Sequence, residues 1–158
     1  MRCNRHGQPD VAEPCQRQRW MAVVAKAEYR EVEQAWAALP VQPLYDYLRA
    51  PEVGLAQIRG RIGGTGQAFN LGEVTVSRCT VQLASGEMGV GYVAGRNLRH
   101  AELAAVLDAM LQRPAFHDLI QAKVIDVLAA AYGQRKRREA EAVAATRVHF
   151  FTMLRGDG

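Results

Sequence analysis

The chain changes its hydrophobic period twice, and that order limits the folds open to it. Apolar residues recur at helical spacing over 16–27 and 29–39, at strand spacing over much of 53–94, and at helical spacing again from 97 onward. Two helical blocks flanking a run of short strands predict an α+β fold. Its parts are N-terminal helices, a small antiparallel sheet of about three strands with a hairpin, and C-terminal helices with an apolar tail. A chain of 158 residues suits one domain with a real core. Residues 1–13 read as a flexible polar extension, leaving 14–158 as that single domain.

Within the blocks, Trp20, Val23, Val24 and Ala27 line one face of the first helix, and the second stops ahead of Pro40. Pro40, Pro43 and Pro51 bracket residues 44–49, which read as one or two helical turns. Strands are expected over 53–62, 73–83 and 88–94, with Ser85 and Gly86 turning the last two into a hairpin. In the second strand the apolar parity switches from Val74 and Val76 to Cys79, Val81 and Leu83. Either a bulge near Ser77–Arg78 or a central strand buried on both faces accounts for that. Gly89 and Gly91 share a face, which lets a helix or another chain approach closely. Asn97 is placed to cap a helix running to 112 with Leu103, Val106, Leu107, Met110 and Leu111 on one stripe. Pro114 suits the first turn of the next, whose stripe is Phe116, Leu119, Ile120, Val124, Val127 and Leu128. A charged helix is expected over 134–145.

Composition narrows the function classes. The net charge of +4 permits an anionic partner without requiring one. No apolar run approaches the roughly 20 residues that span a bilayer, and the first residues lack the apolar core of a signal peptide, so a cytoplasmic protein with no membrane partner is expected. Cys3, Cys15 and Cys79 are too few and too scattered for a disulfide framework, and Cys3, His6 and Cys15 match no common zinc spacing, so no metal is expected. Cys79 reads as a small buried thiol in a strand.

Two constellations are candidates for ligand binding. In the first, Arg61, Gly63, Gly64, Thr65 and Gly66 form a basic, glycine-rich loop whose backbone N–H groups suit a phosphate. It lacks the Gly-Lys-Ser/Thr ending of a Walker loop and serves equally as a tight connection between strands. In the second, Arg96 and His100 stand at the start of a helix, where free N–H groups attract anions. A hydrogen-bonded core histidine is the plainer reading of His100. Asp108, two turns on and about 12 Å away, is too far to orient it. The run Arg135–Arg138 reads as a solvated face rather than a nucleic-acid surface, since no aromatic interleaving accompanies it. No triad, Cys-x-x-Cys or paired-carboxylate pattern occurs, and no catalytic residue is assigned. The end of the chain carries Val148, Phe150, Phe151, Met153, Leu154 and Arg155, with apolar residues on both parities. Such a segment requires burial in its own core or against a partner, which makes these six candidate subunit-interface residues.

Three stretches together resemble the PhnG family, the G subunit of the bacterial carbon–phosphorus lyase system. They are Arg61-Ile-Gly-Gly-Thr-Gly66, Gly95-Arg96 with His100-Ala101-Glu102 and Asp108, and the closing segment from Arg147 to Asp157. The likeness runs from near Arg19 to the end. It implies a core complex with H, I and J subunits, two copies of each, and a functional link to an L component. It implies support for displacing adenine from ATP by methylphosphonate, giving α-D-ribose 1-methylphosphonate 5-triphosphate. An iron–sulfur cluster and S-adenosylmethionine belong to another subunit, and no cofactor is implied for this one. The expected role is that of an accessory subunit. The alternative is one whose Arg61, Gly63–Gly66 loop, Arg96 and His100 contribute phosphate contacts to a shared active site.

Overall fold

The computed structural model describes residues 15–61 and 66–145. Helix α1 (Gln16–Lys26) and α2 (Tyr29–Ala37) precede strands β1 (Tyr45–Gly60), β2 (Phe69–Leu83) and β3 (Met88–Ala94). Then come α3 (Leu98–Leu111), α4 (Pro114–Ile120), a π-helical turn at Gln121–Ile125, and α5 (Asp126–Ala145). The sheet is antiparallel in the order β1-β2-β3. This is the expected α+β arrangement. The apolar tail lies outside the described residues.

Helix α3 is the centre of the molecule. Every residue from His100 to Leu111 is buried, the pattern of a helix enclosed on all sides. Its Ala101, Ala105 and Ala109, spaced four apart, form a smooth ridge. That ridge lies on Gly89 and Gly91 of β3. A Cβ at Gly89 would fall 1.9 Å from the Ala105 carbonyl oxygen, and one at Gly91 2.0 Å from that of Ala101. The shared glycine face therefore serves a helix of the same chain. Helices α1, α2 and α4 cover the far side of α3, contributing Trp20, Val24, Val32, Trp36 and Ile120 to the core, which Val124 of the π-helical turn and Leu128 of α5 extend.

The connection into α3 also depends on glycine. Gly95 has φ +98°, its N–H donates to the Thr75 carbonyl (2.9 Å), and its own carbonyl accepts from Ser77 Oγ (2.9 Å). This ties the β3–α3 turn to the middle of β2. Asn97 then caps the helix as expected, its Oδ1 accepting from His100 N at 3.0 Å. Pro114 occupies the first turn of α4.

Several local expectations are corrected. Residues 44–49 are not helical: β1 begins at Tyr45, eight residues before the expected start. The partners of Tyr45 and Tyr47 are Leu83 and Val81 across the sheet, which local spacing does not reveal. Pro51 sits where the register slips, on the outer strand, where a missing N–H breaks no ladder. Of the two readings of the parity switch in β2, the bulge near Ser77–Arg78 is absent, and β2 is the central strand of the sheet. The register slips between Tyr47 and Arg49 and again between Arg49 and Glu52 place extra residues in β1, and a third slip, between Ile58 and Arg59, leaves Leu71 as an extra residue in β2. In β2 the buried set Ser77, Cys79, Val81 and Leu83 keeps one parity, while Val74 and Val76 are half-buried on the opposite side. Strand β2 also starts earlier than expected, at Phe69. The stripe expected from Phe116 to Leu128 is broken by the π-helical turn, whose wider pitch slips the phase, so Val127 points outward and Ile125 inward. The charged helix is the second half of the longer α5.

The seating of α3 on the glycine pair gives a direct test. Gly91→Ala should destabilise the protein by about 3 kcal/mol, because rigid backbone must retreat. Gly72→Ala, where an added Cβ meets nothing within 4 Å, should stay within about 0.5 kcal/mol. Urea denaturation of the two variants checks both values.

Candidate functional site

Three buried polar residues sit on α3: Asp108 is held by α1 and β3, Glu102 by β1, and His100 by α1. Asp108 is 2% exposed. Its carboxylate accepts four hydrogen bonds: from Arg17 Nε (3.0 Å) and Nη2 (2.7 Å), Trp20 Nε1 (2.9 Å) and the Val90 backbone N–H (2.9 Å). The first three come from α1 and the last from the outer edge of β3. The bidentate bond to Asp108, stronger than the effect of burial, raises the Arg17 guanidinium further above its ordinary value. Gln112 Nε2 adds a bond to the Met88 carbonyl on the same edge (2.7 Å). Trp20, Met21, Val24, Val90, Gly91, Tyr92, Ala104 and Asp108 line a 20 Å³ cavity, room for about one water molecule.

Glu102 lies under β1. Its Oε1 accepts from the Tyr45 hydroxyl (2.5 Å), the Tyr47 hydroxyl (2.6 Å) and Arg99 Nη1 (2.8 Å). Burial alone would raise this carboxyl, but the two phenols and the guanidinium outweigh it, and it lies below its usual range. The Tyr47 phenol moves strongly upward, first through its bond to the Glu102 carboxylate. Cys79, fully buried nearby, donates to the Arg49 carbonyl at 3.5 Å, and desolvation pushes its thiol up to about 11. It is the inert strand cysteine expected.

His100 is 4% exposed and packs against the ring of Tyr29. Its Nε2 is 2.9 Å from the Val24 carbonyl oxygen near the end of α1. A carbonyl only accepts, so Nε2 carries the proton. Burial disfavours the imidazolium and lowers the pKa, with the Val24 carbonyl only partly opposing.

The candidate ligand residues are distributed along the molecule rather than gathered. His100 faces α1. Arg96 is exposed at the β3–α3 turn, next to Gly95, whose N–H bonds to Thr75. Arg61 and Gly66 are exposed beyond the far end of the β1–β2 ribbon, which closes at the Gly60–Phe69 pair. Six residues separate Thr75 from Phe69 along β2, or roughly 20 Å. One small anion cannot touch both Arg61 and Arg96 within this chain. Gly63, Gly64 and Thr65 lie outside the described residues, as do Cys3, His6 and the interface candidates Val148, Phe150, Phe151, Met153, Leu154 and Arg155. Of the basic run, Arg135 reaches across to Glu31 of α2 (2.5 Å), whereas Lys136, Arg137 and Arg138 are exposed. Among the described residues no three His, Cys, Asp or Glu gather as metal ligands, and no helix is long and apolar enough to cross a membrane.

Residues 15–156 match the family described as phosphonate metabolism protein PhnG. The chain belongs to the PhnG family. It is 45% identical over 148 residues, 94% of each chain, to a Rhizobium meliloti (strain 1021) protein named alpha-D-ribose 1-methylphosphonate 5-triphosphate synthase subunit PhnG. One of the three stretches that carried the family resemblance, His100-Ala101-Glu102 with Asp108, thus contains the α3 side chains that bond to α1, β1 and β3. Sequence reasoning missed Arg17, Trp20, Tyr45, Tyr47 and Arg99 as their partners. The available signal was an acidic residue at two inward positions of an Ala/Leu-rich helix, since buried carboxylates demand donors.

Asp108→Asn should cost about 2 kcal/mol, since it removes the charge opposite Arg17 and leaves one inward donor unmatched. Arg17 itself is 41% exposed and stays hydrated, which keeps the loss below that of a fully buried pair. Equilibrium denaturation measures it. A second expectation concerns pH. The native His100 pKa lies below its ordinary 6.5, so on acidification the unfolded chain takes up the proton first. Its contribution is complete above that value and is lost as the pH falls below it, toward the native pKa. Denaturation midpoints taken from about pH 7.5 to 5.5 should fall less steeply in His100→Asn than in the parent.

Proposed function

We propose that this protein is an accessory subunit of an α-D-ribose 1-methylphosphonate 5-triphosphate synthase, acting in phosphonate use. The carrying observation is 45% identity across 94% of both chains to a subunit of that name. In this reading the complex transfers methylphosphonate to the ribose of ATP and releases adenine, while this chain supplies structure rather than a catalytic residue. The three polar groups on α3 support it. Asp108, Glu102 and His100 each already bond within the fold.

The partners in this proposal are the H, I and J subunits, two copies of each, with a functional link to the L component. The iron–sulfur cluster and S-adenosylmethionine belong to another subunit, and this chain binds no cofactor. The complex works in the cytoplasm. Val148, Phe150, Phe151, Met153, Leu154 and Arg155 are the proposed terminal anchors on a neighbour. The alternative, direct phosphate contacts, requires a partner to complete the site, because Arg61 and Arg96 stand roughly 20 Å apart along the ribbon.

The test is reconstitution of the synthase with and without this chain, following adenine release from ATP and methylphosphonate. Omission should abolish release, and an unchanged rate would refute the accessory role. Deleting residues 148–158 should separate the chain from the I subunit on co-purification. Retention of an intact complex would remove the terminal segment from the docking surface.

A further inference from the structure

The sheet is sealed on one side and open on the other. Strand β3 pairs with β2 only from Val76 to Gln82. Beyond that, residues 55–60 of β1 and 69–75 of β2 continue as a two-stranded ribbon with no third strand alongside, and Val53 and Gly54 form its base. Contact between α3 and β1 is sparse, and its polar bonds sit at the other end of the strand, at Tyr45 and Tyr47. A two-stranded ribbon is marginal on its own in water.

This ribbon is apolar on both faces. Val53 pairs with the buried Ser77 and Leu55 with Thr75, so their side chains continue the face that α3 covers elsewhere. Ile58, two pairs beyond Ala56 and Gly54, lies on the opposite face. Leu71 shares that face, since a Cβ at Gly60 would meet its Cδ1. Leu55 is 65% exposed and Leu71 60%, with Val53, Ile58 and Phe69 exposed as well. Together these five residues offer on the order of 400 Å² to a partner, about half of what one side of a standard interface buries. The charges are one-sided. Among the described residues of the ribbon and its tip the ionisable side chains are Arg59, Arg61 and Glu73, with both arginines toward the tip.

We infer that the ribbon is an insertion arm, received by an apolar-walled cleft with carboxylates at its floor in another subunit of the assembly. This rests on the accessory-subunit reading. Two geometric facts select the occupant. A second copy of this chain added along the β1 edge would widen the sheet and leave both faces bare. A second copy stacked on one face would leave the other bare. A cleft covers both faces at once, and its carboxylates meet the surplus positive charge of Arg59 and Arg61.

The test is co-expression of the full chain with the H, I and J subunits proposed above. Leu55→Glu and Leu71→Glu place a charge on each face of the arm, at positions exposed enough to leave folding intact, which circular dichroism and thermal melting verify. Each should retain at least tenfold less of the partner subunits than the parent. Val127→Glu, exposed on α5, should retain the parental amount. Adding Arg59→Glu should lower retention further. Parental retention by both leucine variants overturns the arm while leaving the accessory reading standing. Failure of the parent chain itself to hold any subunit overturns both. If instead the isolated parent is a dimer that Leu55→Glu splits while subunit retention is untouched, the occupant is a second copy and the cleft is wrong.

Discussion

The approach of α3 to the glycine pair of β3 sets the rest of the structure. With no side chain at Gly89 or Gly91, the backbone of α3 comes down directly on the strand. The helix can then be covered on its other side by α1, α2 and α4, which leaves His100 to Leu111 buried all round. A fully enclosed helix cannot discharge a polar side chain into water. Every such residue on it must find its bonds inside the protein, or stability falls by the desolvation penalty of that group.

The three that α3 carries turn this requirement into specificity. Asp108 draws three donors from α1 and one from the edge of β3, so it fixes how the first helix crosses the sheet. It also satisfies an edge-strand N–H that would otherwise face solvent or another chain. His100 holds the end of α1 through the Val24 carbonyl, and Glu102 pins the start of β1 through two phenols. The net gain from each is small, because desolvating a carboxylate offsets most of what its hydrogen bonds return. Their larger effect is on register, since any other placement of α1 or β1 strands a buried charge.

What could be read in the sequence follows from range. The blocks of helix and strand, the Asn97 cap, the Pro114 start, the hairpin and the buried Cys79 are local signals, and the structure shows all of them. The shared face of Gly89 and Gly91 was legible as a close approach, though not as an approach by Ala101 and Ala105. The start of β1 was hidden because Tyr45 and Tyr47 are strand residues only by virtue of partners 34 or more positions away, at Val81, Leu83 and Glu102. The slip in burial phase at Gln121–Ile125 has no residue signature either, since no proline or glycine marks it. The polar network was half visible: the carboxylates stood out on an apolar helix, but their donors Arg17, Trp20, Tyr45 and Tyr47 are 55 to 91 residues distant.

Arg61 and Gly66, on either side of the glycine run, and the Arg96–His100 turn end up in different physical settings. The turn is part of the body, tied to β2 through Gly95 and Ser77, with His100 committed to α1. Arg61 and Gly66 stand at the far end of a ribbon that the body does not support. A feature carried that far from the core contributes little to the stability of its own subunit. The exposed apolar surface along its length is a solubility liability in isolation. Both facts are understandable if the folding unit is the assembly rather than the single chain, with the β3 edge closed within the subunit by Asp108 and the two faces of the ribbon left for a neighbour to cover.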